Sequence, residues 1–484
     1  MPHPQHADVL VVGAGIIGAT TALALADHGR TVLCVGEPAA VLGTASSAAG
    51  AMLGVLGEVT ADQDTVTDSL DEAELHLRHD SSAAWPALTE RIAELTGAQP
   101  QIHRGTAVIA TTAKASDRTN LAAIRSAAER LDLPCHSIAP ADVPYLAPAP
   151  GHETTDALWL PHEGHVDTST LLPAVHRALA AHPRIHLLTS RVREISHNGR
   201  HTTGAQLSDG TRVRSEHIVL AAGVATQELL DGLGPITGVV PRLLPGKGTS
   251  LVFREPGHPL ENIVIRTPNR DFACGTHLIG RADGHLYLGA TNRIADTPGA
   301  TDLPTGGELL GLLDGAVHEI NTALRTSAVT ESRHGMRPLA TDGRPLIGAT
   351  ALPGLYLATG TYRNGILLAP AIAELLTQAI TAPNKTADTP FVPTAPWRNT
   401  APDIPAVLRA GVPHIVSFLL EPRGHLPYNR QRELEAALFS LFRLAFTTGD
   451  SALRERCTTL LASAHVAEVV PQVYYELAAA IAPR

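Results

Sequence analysis

Two groups of residues in this chain have types and spacings that could do chemistry. The first is Gly13-Ala14-Gly15-Ile16-Ile17-Gly18, which follows a β-branched run at 9–12 and opens a helical stretch that Gly29 ends near His28. Glycines at this spacing permit a tight turn and a close backbone approach to a pyrophosphate, which the positive end of the helix attracts. The next strand, 31–35, runs into Gly36 and then Glu37, 19 positions after Gly18. A carboxylate there binds ribose hydroxyls, which argues for FAD or NAD over NADP. The second group is a pair of arginines, Arg337 and Arg363, in the segments ESRHGMRPLATDGRPLIG and GLYLATGTYRNGILLAP. Guanidinium is the side chain whose rigid fork matches a planar carboxylate. The plain structural alternative for both arginines is an ion pair that holds the fold.

Those residues need elements to position them. A strand, turn, helix and strand fill the first forty residues, followed by an Ala/Ser/Gly-rich loop at 43–54 and an amphipathic helix over roughly 71–96. Strand patterns recur at 106–111, 185–195, 203–207, 213–220, 249–253 and 285–290. The run Ile218-Val-Leu-Ala-Ala222-Gly223 is a late strand entering a small-residue turn, as in a strand that returns to a nucleotide domain. This mixture predicts an α/β protein with an antiparallel portion. Residues 381–405, rich in Pro, Thr, Ala and Asn, read as a linker. Beyond it, Leu434, Ala437, Leu438, Leu441, Phe442 and Ala445 share one helical face, and further helices are expected around 453–464 and at 469–482.

Composition narrows the function. The balance of 37 Lys+Arg against 47 Asp+Glu, net −10, argues against nucleic-acid binding. The 44% hydrophobic content excludes a disordered chain. The four cysteines are far apart with no C-x-x-C pair, so neither a disulfide framework nor a zinc site is expected, and a cytoplasmic protein fits best. The apolar run 9–26 is interrupted by three glycines and is read as a buried strand and helix rather than a membrane span. No G-x-S-x-G elbow is present. His162, His165 and Asp167 resemble a metal cluster on paper, but no metal is expected. Lys247, in Pro-Gly-Lys-Gly, is read as a turn lysine in preference to a residue that activates oxygen.

The Arg337 and Arg363 segments, with ASSAAGAMLG at 45–54 and LLPGKG at 243–248, resemble the D-amino-acid-oxidase-like FAD-dependent amine oxidases, above all the glycine oxidases of the thiamine-pathway type. The resemblance covers roughly residues 8–383. It implies a Rossmann-type FAD-binding domain (7–82, 165–235 and 335–383) interleaved with a substrate domain carrying a mixed or antiparallel sheet (83–164 and 236–334). A linker (384–402) and a C-terminal helical appendage (403–484) follow, the latter packing on the body, on another copy or on a partner protein.

The family's roles transfer where positions match. Gly13, Gly15, Ile16, Ile17 and Gly18 would line the FAD pyrophosphate, with Gly36 and Glu37 at the ribose and Val192 at the adenine end. Ala45, Ser46 and Ser47, then Gly50, Ala51 and Met52, would run from the diphosphate to the flavin face, with Ala222 and Gly223 at the returning strand. Thr361, Tyr362, Arg363, Asn364, Gly365, Ile366 and Leu367 would wrap the pyrimidine edge and present a helix N-terminus where reduced flavin carries negative charge. Arg337 stands at the carboxylate-binding arginine, and Arg363 at a position whose carbonyl faces the substrate amine.

Three departures from the family pattern stand out. Gly36 replaces the usual ribose-binding Glu, the S-A-A-A-G-M-L motif reads Ser47-Ala-Ala-Gly50-Ala51-Met52-Leu53, and His277 stands where a substrate-binding Tyr is expected, as a donor to the carboxylate or as a plain strand residue. With no Cys or His in 45–54 or 335–346, FAD is expected to be non-covalent. The implied reaction is oxidation of a small carboxylate-bearing amine, an amino acid or N-substituted glycine, by oxygen to imine and hydrogen peroxide. The rivals are a dehydrogenase with a quinone or protein acceptor, and a flavin-binding partner subunit of a biosynthetic complex.

Overall fold

The computed structural model describes residues 6–37, 43–61, 69–112, 114–255, 260, 262–270, 274–281, 283–295, 303–382, 389–399, 412, 431–449 and 451–455. Short runs of Val, Leu and Ile that are buried on both faces build the centre of a six-stranded sheet. Its order is Leu346–Ala349, Leu355–Thr359, His217–Leu220, Val9–Val12, Val32–Val35 and Ile185–Leu188. All neighbours run parallel except the hairpin formed by the first two. Helices Ile16–Asp27, Thr168–Ala181 and Gly365–Thr381 cover one face. The three-stranded sheet Val192–His197, Thr202–Leu207 and Arg212–Arg214 covers the other, with helix Thr226–Leu233. Double coverage explains why these strands are continuous apolar runs rather than alternating ones.

The second sheet has nine strands and is mixed. Val264–Arg266 runs parallel to Ile102–Thr111, while the other pairings are antiparallel. Ala328–Ala340 lies along Leu243–Arg254 and sets Arg337 opposite Gly246. The expected helix over 71–96 is Ser69–Thr96, and the 43–54 loop contains one short helix, Ala45–Ala48, capped by Thr44 accepting from the Ser47 N–H at 3.1 Å.

Two expectations are modified. Segment 389–399 is not a free linker. Phe391 is buried and its carbonyl accepts from Ile347 N, while the buried Arg398 bonds Asp342 and the carbonyls of Pro345, Phe391 and Val392. Composition could not reveal this, because a single buried guanidinium satisfied by carbonyls anchors an otherwise linker-like stretch. Lys247 lies inside a strand, not a turn, because Pro245-Gly-Lys-Gly pairs with 335–338. Of the appendage, helix Gln431–Thr448 is described, with Phe442 buried and Leu441 and Leu444 exposed. The helix expected at 469–482 lies outside the described residues.

Candidate functional site

At the switch point of the parallel sheet the glycine turn is drawn tight. Gly13 has φ +107°, and a Cβ there would lie 2.4 Å from the Ala221 carbonyl oxygen. A Cβ on Gly18 would lie 1.9 Å from the Gly13 carbonyl. Ile16 N donates to Ser46 Oγ at 3.2 Å, which brings the 45–48 helix onto the N-terminus of helix Ile16–Asp27. Backbone N–H groups, a hydroxyl and the positive helix end therefore converge, as a pyrophosphate requires. Ala222 precedes the turn Gly223–Ala225, and Thr359 Oγ1 donates to the Gly223 carbonyl at 3.2 Å. Val192 packs in the same cluster as Val35, Leu188 and Ala222 at that end of the sheet. Gly36 has a steric reason: a Cβ would come within 2.5 Å of Ala14 N, so no carboxylate side chain fits there, and the acid is the exposed Glu37.

The 361–367 turn closes over the same end. Thr361 bridges Leu339, and Tyr362 N donates to the Pro338 carbonyl at 2.9 Å. Asn364 occupies the N-cap position of helix Gly365–Thr381 without a side-chain capping bond, and the first N–H groups of the helix have no intrahelical acceptor. Its orientation is pinned from behind. Ala371 N donates to Ser81 Oγ at 3.2 Å, while the Leu367 carbonyl accepts from Ser81 Oγ at 2.7 Å and Trp85 Nε1 at 3.1 Å. The site of Gly365 lies 3.7 Å from Ile17 Cδ1, so both helix starts face one space.

The Gly50–Ala51 exchange also has a physical account. A Cβ on Gly50 would press on Tyr287 Cε1 at 2.7 Å, and Tyr287 in turn donates to the Ala48 carbonyl at 2.7 Å. Ala51 takes φ +56°, the left-handed region that the family's glycine would occupy at no steric cost. Met52 bridges His165.

Arg337 Nη1 donates to the Thr291 carbonyl and to Asn292 Oδ1, each at 3.0 Å, and the guanidinium lies over Gly248, where a Cβ would meet Nη2 at 2.1 Å. It forms no ion pair among the described residues. Asn292 Nδ2 also bonds the Tyr362 hydroxyl, so Asn292 ties the arginine to the 361–367 turn. Arg363 differs. It pairs with Glu58, contacts Cys274 Sγ at 3.4 Å and stacks over Tyr362 at 4.8 Å from the ring centroid. Burial opposes its charge, but the Glu58 carboxylate outweighs that and holds its pKa above the ordinary value.

His277 is buried, and burial pushes its pKa down to about 4, with Arg337, Arg266 and Arg363 all opposing its protonation. Its Nδ1 faces the Gly275 carbonyl at 3.2 Å, an acceptor only, so Nδ1 carries the hydrogen and Nε2 is left as a lone-pair acceptor. A neutral ring in this tautomer cannot donate to a substrate carboxylate.

Arg337, Arg363 and His277 thus come together, and so do the glycine turn, 45–52 and 361–367. Sequence reasoning missed Asn292, Glu58 and the buried Arg266–Glu163 pair at 3.4 Å, because each acts through a partner distant in the chain, and it noted Gly248 only as part of LLPGKG. Lys247 points to the opposite face, where it bonds Glu308 at 3.0 Å and the Leu303 carbonyl. Asp167 caps helix Thr168–Ala181 and pairs with Arg281, while His165 stacks on His103. Among the described residues no three potential ligands gather as a metal site.

A dinucleotide cradle joined to an arginine-lined wall is the arrangement of a flavin-dependent oxidoreductase. The model of the FAD dependent oxidoreductase (DAO) family matches residues 8–379, and the chain belongs to that family. It is glycine oxidase-like. The glycine oxidase of Pseudomonas putida is 32% identical over 398 residues, covering 80% of this chain and 98% of that protein. The crystal structure of glycine oxidase from Geobacillus kaustophilus superposes with a TM-score of 0.67 at 26% identity, covering 81% of this chain and 99% of that one. Iminodiacetate oxidase from Chelativorans sp. shares the fold, with a TM-score of 0.64 at 21% identity. No helix among the described residues is long and apolar enough to cross a membrane.

Proposed function

We propose that the chain is an FAD-dependent oxidase of a small amino acid or N-substituted glycine, releasing an imine, which hydrolyses to the 2-oxo acid, and hydrogen peroxide. The observation that carries this reading is Arg337: its Nη1 is saturated by protein acceptors, while Nε and Nη2 have no partner among the described residues. That free edge suits a carboxylate, and Gly248 leaves the room that the guanidinium itself occupies. Gly13, Gly15, Gly18, Ser46 and the 361–367 turn would hold the cofactor. Bound FAD supplies the two-electron acceptor, which oxygen restores with release of hydrogen peroxide.

The residues of the chain do the rest. Arg337 anchors the carboxylate and so fixes the α-carbon at a defined distance from the 361–367 turn. Asn292 and Tyr362 lock Arg337 to that turn. No side-chain base is needed when the amine enters neutral, and His277, held neutral with Nε2 as an acceptor, is compatible with an uncharged N–H. An oxygen electrode with a panel of amino acids and N-alkyl glycines, coupled to a peroxide assay, tests the reading. Oxygen uptake matched by peroxide is expected. Reduction of an artificial quinone without oxygen uptake would make the protein a dehydrogenase, and no reduction by any amine would overturn the reading.

A further inference from the structure

Arg266, His277 and Gly289 lie opposite one another in three adjacent strands, so their side-chain positions share one face of the nine-stranded sheet. The charge of Arg337 is near enough to oppose protonation of His277. Arg266 is only 3% exposed. Its Nη2 bonds Glu163 at 3.4 Å, while its Nη1 is buried with no hydrogen-bond partner among the described residues. A buried donor left unpaired is costly and calls for a partner that the described residues do not supply. Beside it, His277 has Nδ1 committed to Gly275, and Nε2 makes no bond among the described residues. Gly289 makes room for that nitrogen, since a Cβ there would stand 2.2 Å from Nε2. The face therefore offers one unused donor and one unused acceptor, next to the arginine that binds the α-carboxylate.

Resting on the function proposed above, we propose that Arg266 and His277 form a second polar subsite for a hydroxyl or carboxamide on the substrate side chain, so that small hydroxy- or amide-bearing amino acids are better substrates than glycine or alanine. A hydroxyl or a primary amide both donates and accepts, which matches this pair. A second carboxylate does not match, because Glu163 already neutralises Arg266 and the Nε2 lone pair repels an anion. The subsite also accounts for histidine at the position where the family's tyrosine would present a hydroxyl donor to the carboxylate.

The test uses the wild-type holoenzyme. Values of kcat/KM are compared for glycine, alanine, serine, asparagine and aspartate, in both enantiomers where they exist. Dissociation constants for lactate and glycerate, which differ by one hydroxyl, are read from the shift of the flavin absorption spectrum. Serine and asparagine should exceed alanine by about tenfold to a hundredfold, the range for pairing one buried polar group, with aspartate below them. Glycerate should bind more tightly than lactate by a similar factor. His277→Phe should bring both ratios close to one.

Glycine or alanine matching serine, aspartate as the best substrate, or ratios that survive His277→Phe would each overturn the subsite while leaving the oxidase reading intact. Oxidation of none of these amines, with glycerate binding no tighter than lactate, would overturn both.

Discussion

Arg337→Ala probes the site most directly, because the structure separates what the residue gives the protein from what it offers a ligand. Its Nη1 serves the fold, bonding Thr291 and Asn292 at 3.0 Å, and its remaining edge offers two donors. Removing the guanidinium would leave the substrate carboxylate buried and unpaired, a loss of about 3–5 kcal/mol. At about 1.4 kcal/mol per tenfold, kcat/KM for carboxylate-bearing amines should fall by about two to three orders of magnitude. Arg337→Lys should recover only part, because an ammonium cannot form the fork. FAD content should survive. Steady-state oxygen uptake on flavin-normalised enzyme measures the effect, with an amine lacking a carboxylate as the control. Arg363→Met gives the contrast: it strands the Glu58 carboxylate, so thermal stability should fall along with activity. Were Arg337→Ala to lose flavin or solubility while sparing kcat/KM in the remaining holoenzyme, the anchor argument would be refuted and Arg337 would be a structural residue.

Further consequences can be measured separately. Gly50→Ala should destabilise the protein by about 1–3 kcal/mol through overlap with Tyr287, whereas Ala51→Gly should be neutral or stabilising by up to about 1 kcal/mol; denaturant midpoints decide both. Arg398→Ala leaves Asp342 and several buried carbonyls unpaired, and the melting temperature should drop by an amount equivalent to about 3 kcal/mol although the residue is far along the chain from any site residue. His277 and His165, which burial pushes down to about 4 and about 3, are neutral in the fold, while the unfolded chain takes up their protons below about pH 6.5. Their contribution is complete above that pH and is lost as pH falls, by about 2 kcal/mol each between pH 7 and pH 4.5, so urea unfolding of His165→Phe should show a shallower acid slope. Acid precipitation should release the flavin to the supernatant, since 45–54 and 335–346 contain no Cys or His to hold it; a yellow pellet would contradict this.

Local patterns carried much of this protein. The glycine spacing at 13–18, the β-branched runs and the Gly29 stop each act over a few residues, so the strand, turn and helix of the nucleotide cradle were legible without any fold. The arginine-bearing segments were legible through their resemblance to the family, which implied a carboxylate-binding role for Arg337. Pairings across long separations were not legible. Arg337 and Arg363 are the same residue type in similar blocks, yet only the approach of Glu58, 305 residues away, neutralises one and leaves the other free. His277 could be a donor to the carboxylate or a plain strand residue until the Gly275 carbonyl took its Nδ1 hydrogen. Gly36 looked like a missing carboxylate until the backbone at Ala14 came within reach. Propensity and periodicity are local, whereas ion pairing, tautomer and steric room depend on which distant atoms the packed fold brings within a few ångströms, and for these only the tertiary structure could decide.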